Sequence, residues 1–150
     1  MSIVTLSEAK LHLRVDGTDE DTLIQALLNA SEKSASLWMG RNIYADQNAL
    51  GTAKTAAPAL LTTATSAYTA ASTAADAISD DTESEIAQES ADDAYLTAQE
   101  AYRMASYGIV IDDMIRAAVL LTLGAFFESR EAGDIPQGAR SLLQPYKAYR

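Results

Sequence analysis

The chain has 150 residues, with 11 Lys and Arg against 21 Asp and Glu, for a formal net charge of −10. That surplus argues against a protein that grips nucleic acid or an anionic membrane surface, both of which need a basic footprint. The absence of cysteine and the single His12 exclude disulfides, thiol nucleophiles and zinc sites built on Cys or paired His.

Charge and composition divide the chain in three: residues 1–50 carry a net −3, residues 51–106 a net −7, and residues 107–150 balance at zero. The first segment opens without the basic n-region or apolar h-region of a secretory leader. Thr5-Leu6-Ser7-Glu8 is a capping-box pattern, with Thr5 as N-cap and Glu8 at N3. It starts a short helix that is expected to stop at the Asp16-Gly17 turn. Thr18, Asp19, Glu20 and Asp21 then read as the capped, acidic start of a second, longer helix. Leu23, Ile24, Leu27, Leu28, Ser31, Ala35 and Trp38 lie on one face of it at three- and four-residue spacing. Gly40 suits the position just past its end.

The middle segment holds 17 of the chain's 29 alanines and 15 Ser or Thr. A loop is expected over 45–55, followed by Pro58 in the first turn of a helix. Leu61, Ala64, Tyr68, Ala71, Ala75 and Ile78 step along a heptad seam. After a turn at Ser79-Asp80-Asp81-Thr82, a second helix is predicted from about 83 to 106, with Ala87, Ala91, Ala94, Ala98, Ala101 and Ala105 on one side and Tyr95 and Tyr102 beside them. Two such helices make an inserted antiparallel hairpin over 51–106, closely packed through alanine. A low-complexity linker is the alternative for this composition.

The last segment begins with the short extended piece Ile109-Val110-Ile111. Asp112 then caps the most apolar helix, 113 to about 130, whose buried face is expected to hold Ile115, Ala118, Val119, Thr122, Phe126 and Phe127. Its apolar run over 117–127 is too short to span a bilayer. Ile135-Pro136-Gln137-Gly138 leads into a short helix with Leu142 and Leu143, closed by Pro145. Residues 145–150 read as a flexible tail. The expected fold is all-α: a small bundle, one domain over 1–150, with a long helix of the C-terminal half at its centre.

No constellation demands catalysis, a metal or a cofactor. His12 lies one turn from Glu8, as a general base or a surface residue. Asp16, Asp19 and Asp21 lack the glutamate that a calcium loop needs twelve residues in, since Leu27 stands there. Tyr68, Tyr95 and Tyr102 could stack bases, but only Arg103 accompanies them. The basic, aromatic end 145–150 is either a frayed tail or a peptide that docks on a partner.

The flanking segments resemble the head–tail connector, or head-completion adaptor, family of tailed phages and prophages. The residues that carry the resemblance are Val4-Thr-Leu-Ser-Glu-Ala-Lys-Leu-His-Leu-Arg-Val-Asp, Asp19-Glu-Asp-Thr-Leu-Ile and Trp38-Met-Gly-Arg-Asn-Ile at the front. Ile115-Arg-Ala-Ala-Val-Leu-Leu, Phe127-Glu-Ser-Arg-Glu and Ile135-Pro-Gln-Gly-Ala-Arg-Ser-Leu-Leu-Gln-Pro-Tyr carry it at the back. The middle segment departs from the pattern. The resemblance implies a non-enzymatic virion protein at the head–tail junction, assembled in the host cytoplasm. Its subunits form a ring, usually of about twelve. Its partners are the portal protein above, a neck or tail-completion protein below, and further copies of itself; DNA passes through without specific binding, and no membrane is involved. Glu128, Arg130, Glu131 and Arg140, with the anchors Tyr146 and Tyr149, are the expected interface residues. The rival readings are an antitoxin-like helical regulatory module, monomeric or dimeric, and a small hydrolase built on His12.

Overall fold

The computed structural model describes residues 3–129 and 134–148. The described residues form an all-α fold: α1 (Leu6–Leu13), α2 (Asp21–Met39), β1 (Ile43–Tyr44), α3 (Gln47–Asp76), α4 (Asp81–Ser106), β2 (Ile109–Val110), α5 (Asp113–Ser129) and α6 (Gln137–Leu143), followed by a 3-10 turn over Gln144–Tyr146.

A compact body is built from α1, α2, α5 and α6, with α5 at its centre, packed against the other three. The stripe Ile24, Leu28, Ala35 and Met39 of α2 is fully buried against Ile115, Ala118, Val119 and Leu123 of α5, and Ala139 and Leu143 of α6 close the same core. The two fully buried hydroxyls sit in it at no cost in lost hydrogen bonds. Ser31 donates to the Leu27 carbonyl and Thr122 to the Ala118 carbonyl, both at 2.8 Å. Phe126 and Phe127 are only half-buried. They stand in the last turn of α5, Phe127 on the edge of the core, and the smaller Leu123 one turn earlier takes the sealed position.

Thr5 and Glu8 form the reciprocal capping box. The helix ends sooner than the Asp16-Gly17 turn, because Arg14 adopts the left-handed conformation (φ 57°) and the Val15 amide reaches back to the Lys10 carbonyl at 3.0 Å. At the start of α2 the acidic run does not cap. Glu20 makes no side-chain cap bond, and the Asp21 carboxylate is taken by Lys10 at 2.5 Å. Gly40 closes α2 in the left-handed conformation (φ 69°).

The hairpin is longer at its root than expected. Asp46 accepts the Ala49 amide at 2.8 Å and starts α3 at Gln47, so the expected loop over 45–55 is helix and Pro58 is internal to it. Burial of Leu50 and Ala57 anchors this first stretch. Proline removes one i→i−4 bond, and the carbonyl it orphans is that of Lys54, an exposed residue. Asp80 accepts the Glu83 amide at 2.9 Å and starts α4 at Asp81. The two helices pack chiefly on each other. Ala75 and Ala91 are buried between them, and the Tyr68 and Tyr95 rings meet at 5.1 Å in a tilted pair.

Both ends of the hairpin are pinned to one place. β1 and β2 pair in parallel, Ile43 beside Ile109 and Tyr44 beside Val110. Bonds of 2.9 Å run from the Asn42 amide to the Met104 carbonyl, from the Ile109 amide to Asn42, and from the Ile111 amide to Tyr44. Gly108 makes this closure possible. A Cβ there would stand 2.4 Å from the Tyr44 ring, 3.0 Å from the Ala105 carbonyl and 3.1 Å from Leu50.

Candidate assembly surfaces

The end of α2 and the last segment of the chain meet on one face. Residues 145–148, read from sequence as part of a tail, run back along the body. The Ala148 amide donates to the Met39 carbonyl at 2.8 Å, the Lys147 ammonium lies 4.7 Å from the centre of the Trp38 ring, and the Tyr146 hydroxyl donates to Asp112. Asp112 uses its other oxygen to cap α5 through the Ile115 amide at 2.9 Å. One carboxylate thus starts the central helix and holds the chain's end. It also pushes the Tyr146 phenol above its ordinary value, since the hydrogen bond favours the neutral donor.

A shallow concavity opens beside this contact, lined by Trp38, Gln137, Arg140, Ser141 and Gln144. Arg140 carries an ion pair with Asp134 at 3.0 Å, across which solvent has access, since Asp134 is 93% exposed. Arg41 follows Gly40, whose backbone lies against Ala148, and adds a third cation at this end of α2. Arg140 and Tyr146, two of the residues singled out from sequence, therefore share this part of the surface. Glu128 is exposed near the end of α5. Arg130, Glu131 and Tyr149 lie outside the described residues. Sequence reasoning missed Trp38, which it placed only on the buried face of α2. The aromatic–basic pattern of 145–150 carried a signal for a docking segment, but none for where that segment docks.

The hairpin offers two unlike faces. One is an apolar groove between the helices, with Ala56, Ala59, Leu60, Ala64, Ala67 and Ala94 along it. Away from the groove α4 is acidic. Around the tip, Asp80, Asp81, Glu83 and Glu85 are all exposed, with Ile86 among them at 62% exposure. Several hydroxyls along α3 are satisfied by their own helix: Thr62, Thr65, Thr69 and Thr73 each donate to the carbonyl four residues back, at 2.8–3.1 Å. Tyr68 and Tyr95 are occupied with each other and with Gln88, which donates to the Tyr68 hydroxyl at 3.2 Å, so this pair packs within the hairpin. The nearby Asp92 raises the Tyr68 phenol, and hydrogen bonding with Gln99 foremost lowers that of Tyr95.

The His12–Glu8 pairing does not form. Glu8 accepts from the Thr5 amide and hydroxyl with one oxygen (2.9 and 2.7 Å) and from Arg116 with the other (2.7 Å). These bonds, those from Thr5 foremost, hold its carboxyl below the ordinary range. His12 instead lies over Gly124 of α5, its Nε2 3.5 Å from where a Cβ would stand. Among the described residues no group of His, Asp and Glu is arranged to hold a metal, and no helix is long and apolar enough to cross a membrane.

A family model described as phage gp6-like head-tail connector protein matches residues 3–144, a range that runs through the hairpin as well as the body. Neither a curated protein nor a solved structure matches the chain.

Proposed function

Because the chain belongs to the phage gp6-like head-tail connector family, and is by that a structural component of the virion, we propose that it forms a ring beneath the portal and joins the capsid to the neck or tail. The observation that carries this reading is the family match over nearly the whole chain. The ring comprises about twelve copies, closed through head-to-tail contacts between unlike faces. It extends the DNA channel and offers a surface to the next neck protein. Assembly takes place in the host cytoplasm, before the particle is complete.

The chemistry of the chain is compatible with this role. At −10 per copy, a ring of about twelve would carry on the order of 120 negative charges, which disfavours tight contact with passing DNA. The role is mechanical rather than catalytic. The carboxylate one turn from His12, that of Glu8, is committed to Thr5 and Arg116.

Tyr146 and Tyr149 are the proposed anchors on the portal. Tyr146 is held to Asp112 in the isolated subunit, so docking exchanges that bond for contacts on the partner. Electron microscopy of purified necks tests the reading: density for this chain is expected at the portal–tail junction, and its absence there would overturn the assignment. Truncation after Gln144 is expected to abolish attachment to portal-bearing heads while the helical body stays folded. Normal attachment of the truncated form would remove the tail from the mechanism.

A further inference from the structure

We propose that copies of this chain contact one another through the acidic tip of the hairpin of one copy and the cationic concavity around Trp38 of the next. The proposal rests on the reading that copies assemble, and it names the two surfaces that meet.

The concavity is one of the few cationic features of an acidic molecule. Arg140 lines it, and Lys147 lies over the Trp38 ring that forms its wall. Lys147 pairs with no carboxylate among the described residues, and the Asp134 partner of Arg140 is 93% exposed and readily exchanged. Trp38 is half-buried with the Lys147 ammonium over one face of its ring, so the part of it left exposed is apolar and flanked by cations. That combination fits an acidic segment with one apolar anchor.

The hairpin tip is such a segment. Asp81, Glu83 and Glu85 pair with no cation of their own copy among the described residues. Ile86, directly after Glu85, stands exposed beside them as the anchor. The tip is also placed to reach a neighbour. From its root at Gln47 to its end at Asp76, α3 rises about 1.5 Å per residue, or roughly 45 Å. Along that length α3 and α4 pack chiefly on each other, and the main contacts of α3 outside the hairpin are with the strand pair.

A second copy is the occupant because it supplies both halves of the match. Its concavity is basic where this tip is acidic, and its tip is acidic where this concavity is basic. Bringing two tips together would instead place like charges in contact. A contact between two different patches is head-to-tail, and repetition of it propagates an assembly rather than stopping at a pair.

Sedimentation of the full chain at low and high salt tests the contact. The parent is expected to self-associate, and to do so less at high salt, because the charges at the interface are screened. Reversing the concavity (Arg140→Glu with Lys147→Glu) or the tip (Asp81→Lys, Glu83→Lys and Glu85→Lys) is expected to weaken association by about tenfold or more. An equimolar mixture of the two reversed proteins restores it, because each reversed surface then meets its complement. The restoration also shows that both variants fold. A parent that stays monomeric at every concentration, reversed variants that associate as the parent does, or a mixture no stronger than its components would overturn the proposal. Neck microscopy separates this from the connector reading. A ring whose neighbours meet through other surfaces overturns the contact and leaves the ring standing. A protein absent from the junction ends the ring reading, while sedimentation still decides the contact.

Discussion

Gly108→Ala probes the point where the hairpin is rooted. Glycine is used here for closeness of approach, because the added methyl would meet three neighbours at once. The Tyr44 ring, at 2.4 Å, belongs to a half-buried side chain that can swing aside, and Leu50 at 3.1 Å can also yield. The Ala105 carbonyl at 3.0 Å is backbone of the last turn of α4 and cannot move without disturbing the helix end and the strand pair. Overpacking of this kind costs about 1–3 kcal/mol. For a chain of this length that corresponds to a fall in melting temperature of roughly 3–10 °C. Thermal unfolding followed by circular dichroism measures it. Gly17→Ala is the control, since a methyl there meets nothing within 4 Å and the backbone is not left-handed. It is expected to be neutral or to stabilise by up to about 1 kcal/mol. Combining Gly108→Ala with Tyr44→Ala relieves the closest clash, so the double variant should be less destabilised than the sum of the singles. A Gly108→Ala protein that melts with the parent, or strict additivity in the double variant, would refute the close-packed root.

Leu123→Ala, at a fully buried position, should lose about 2–5 kcal/mol in denaturant unfolding, and Phe126→Ala clearly less, since its ring is only half-buried. Equal losses would move the centre of the core. Replacing residues 47–106 by a short Gly/Ser linker should leave a cooperatively unfolding helical body, and a non-cooperative melt would make the hairpin structural. The Glu8 carboxyl titrates below its ordinary value of 4.5 in the folded chain, so its stabilisation is complete above that value and fades as pH falls through the lowered folded value. Glu8→Gln should therefore flatten the acid limb of a stability–pH curve. Tyr146 has the opposite sign: its phenol is raised, so its contribution holds below pH 10 and is lost as pH rises further. Phenolate absorbance should show two late-titrating tyrosines, Tyr146 and Tyr68, and Tyr146→Phe should leave only the one.

Local signals translated well into structure. The capping box at Thr5 and Glu8, the stop of α2 at Gly40, the cap at Asp112 and the start of α6 after Pro136 all depend on neighbours in sequence, and the structure realises each; the stripe of α2 is realised except at Leu23, which stands 45% exposed in its first turn. Around Pro58 the local signal misled. Proline, glycine and threonine there favour a loop, but tertiary burial of Leu50 and Ala57 carries the helix through. Phe126 misled in the other direction, since periodicity gives a face and not how far along the helix that face is covered. The surfaces proposed for assembly were the least legible. Arg116 and Glu8 are 108 residues apart, and Tyr146 and Asp112 are 34 apart. Lys147 meets Trp38 across most of the chain. A single sequence has no term for such pairs, because any of several cations could have met any of several acids or rings.

The parallel pairing of β1 and β2 also bears on the order in which the molecule folds. The core requires α2 to find α5 across the roughly sixty residues that separate the two strands, a slow, non-local search for an unstructured chain. The α3–α4 hairpin needs no such search, as its contacts begin at a tight turn and zip outward. Once zipped, it delivers residue 43 to residue 109 as though a few residues joined them, lowering the entropic cost of closure by about 2–3 kcal/mol. A segment that contributes little to the final core thereby acts as the kinetic shortcut to it, and loosening its alanine seam should slow the folding of a body it scarcely touches.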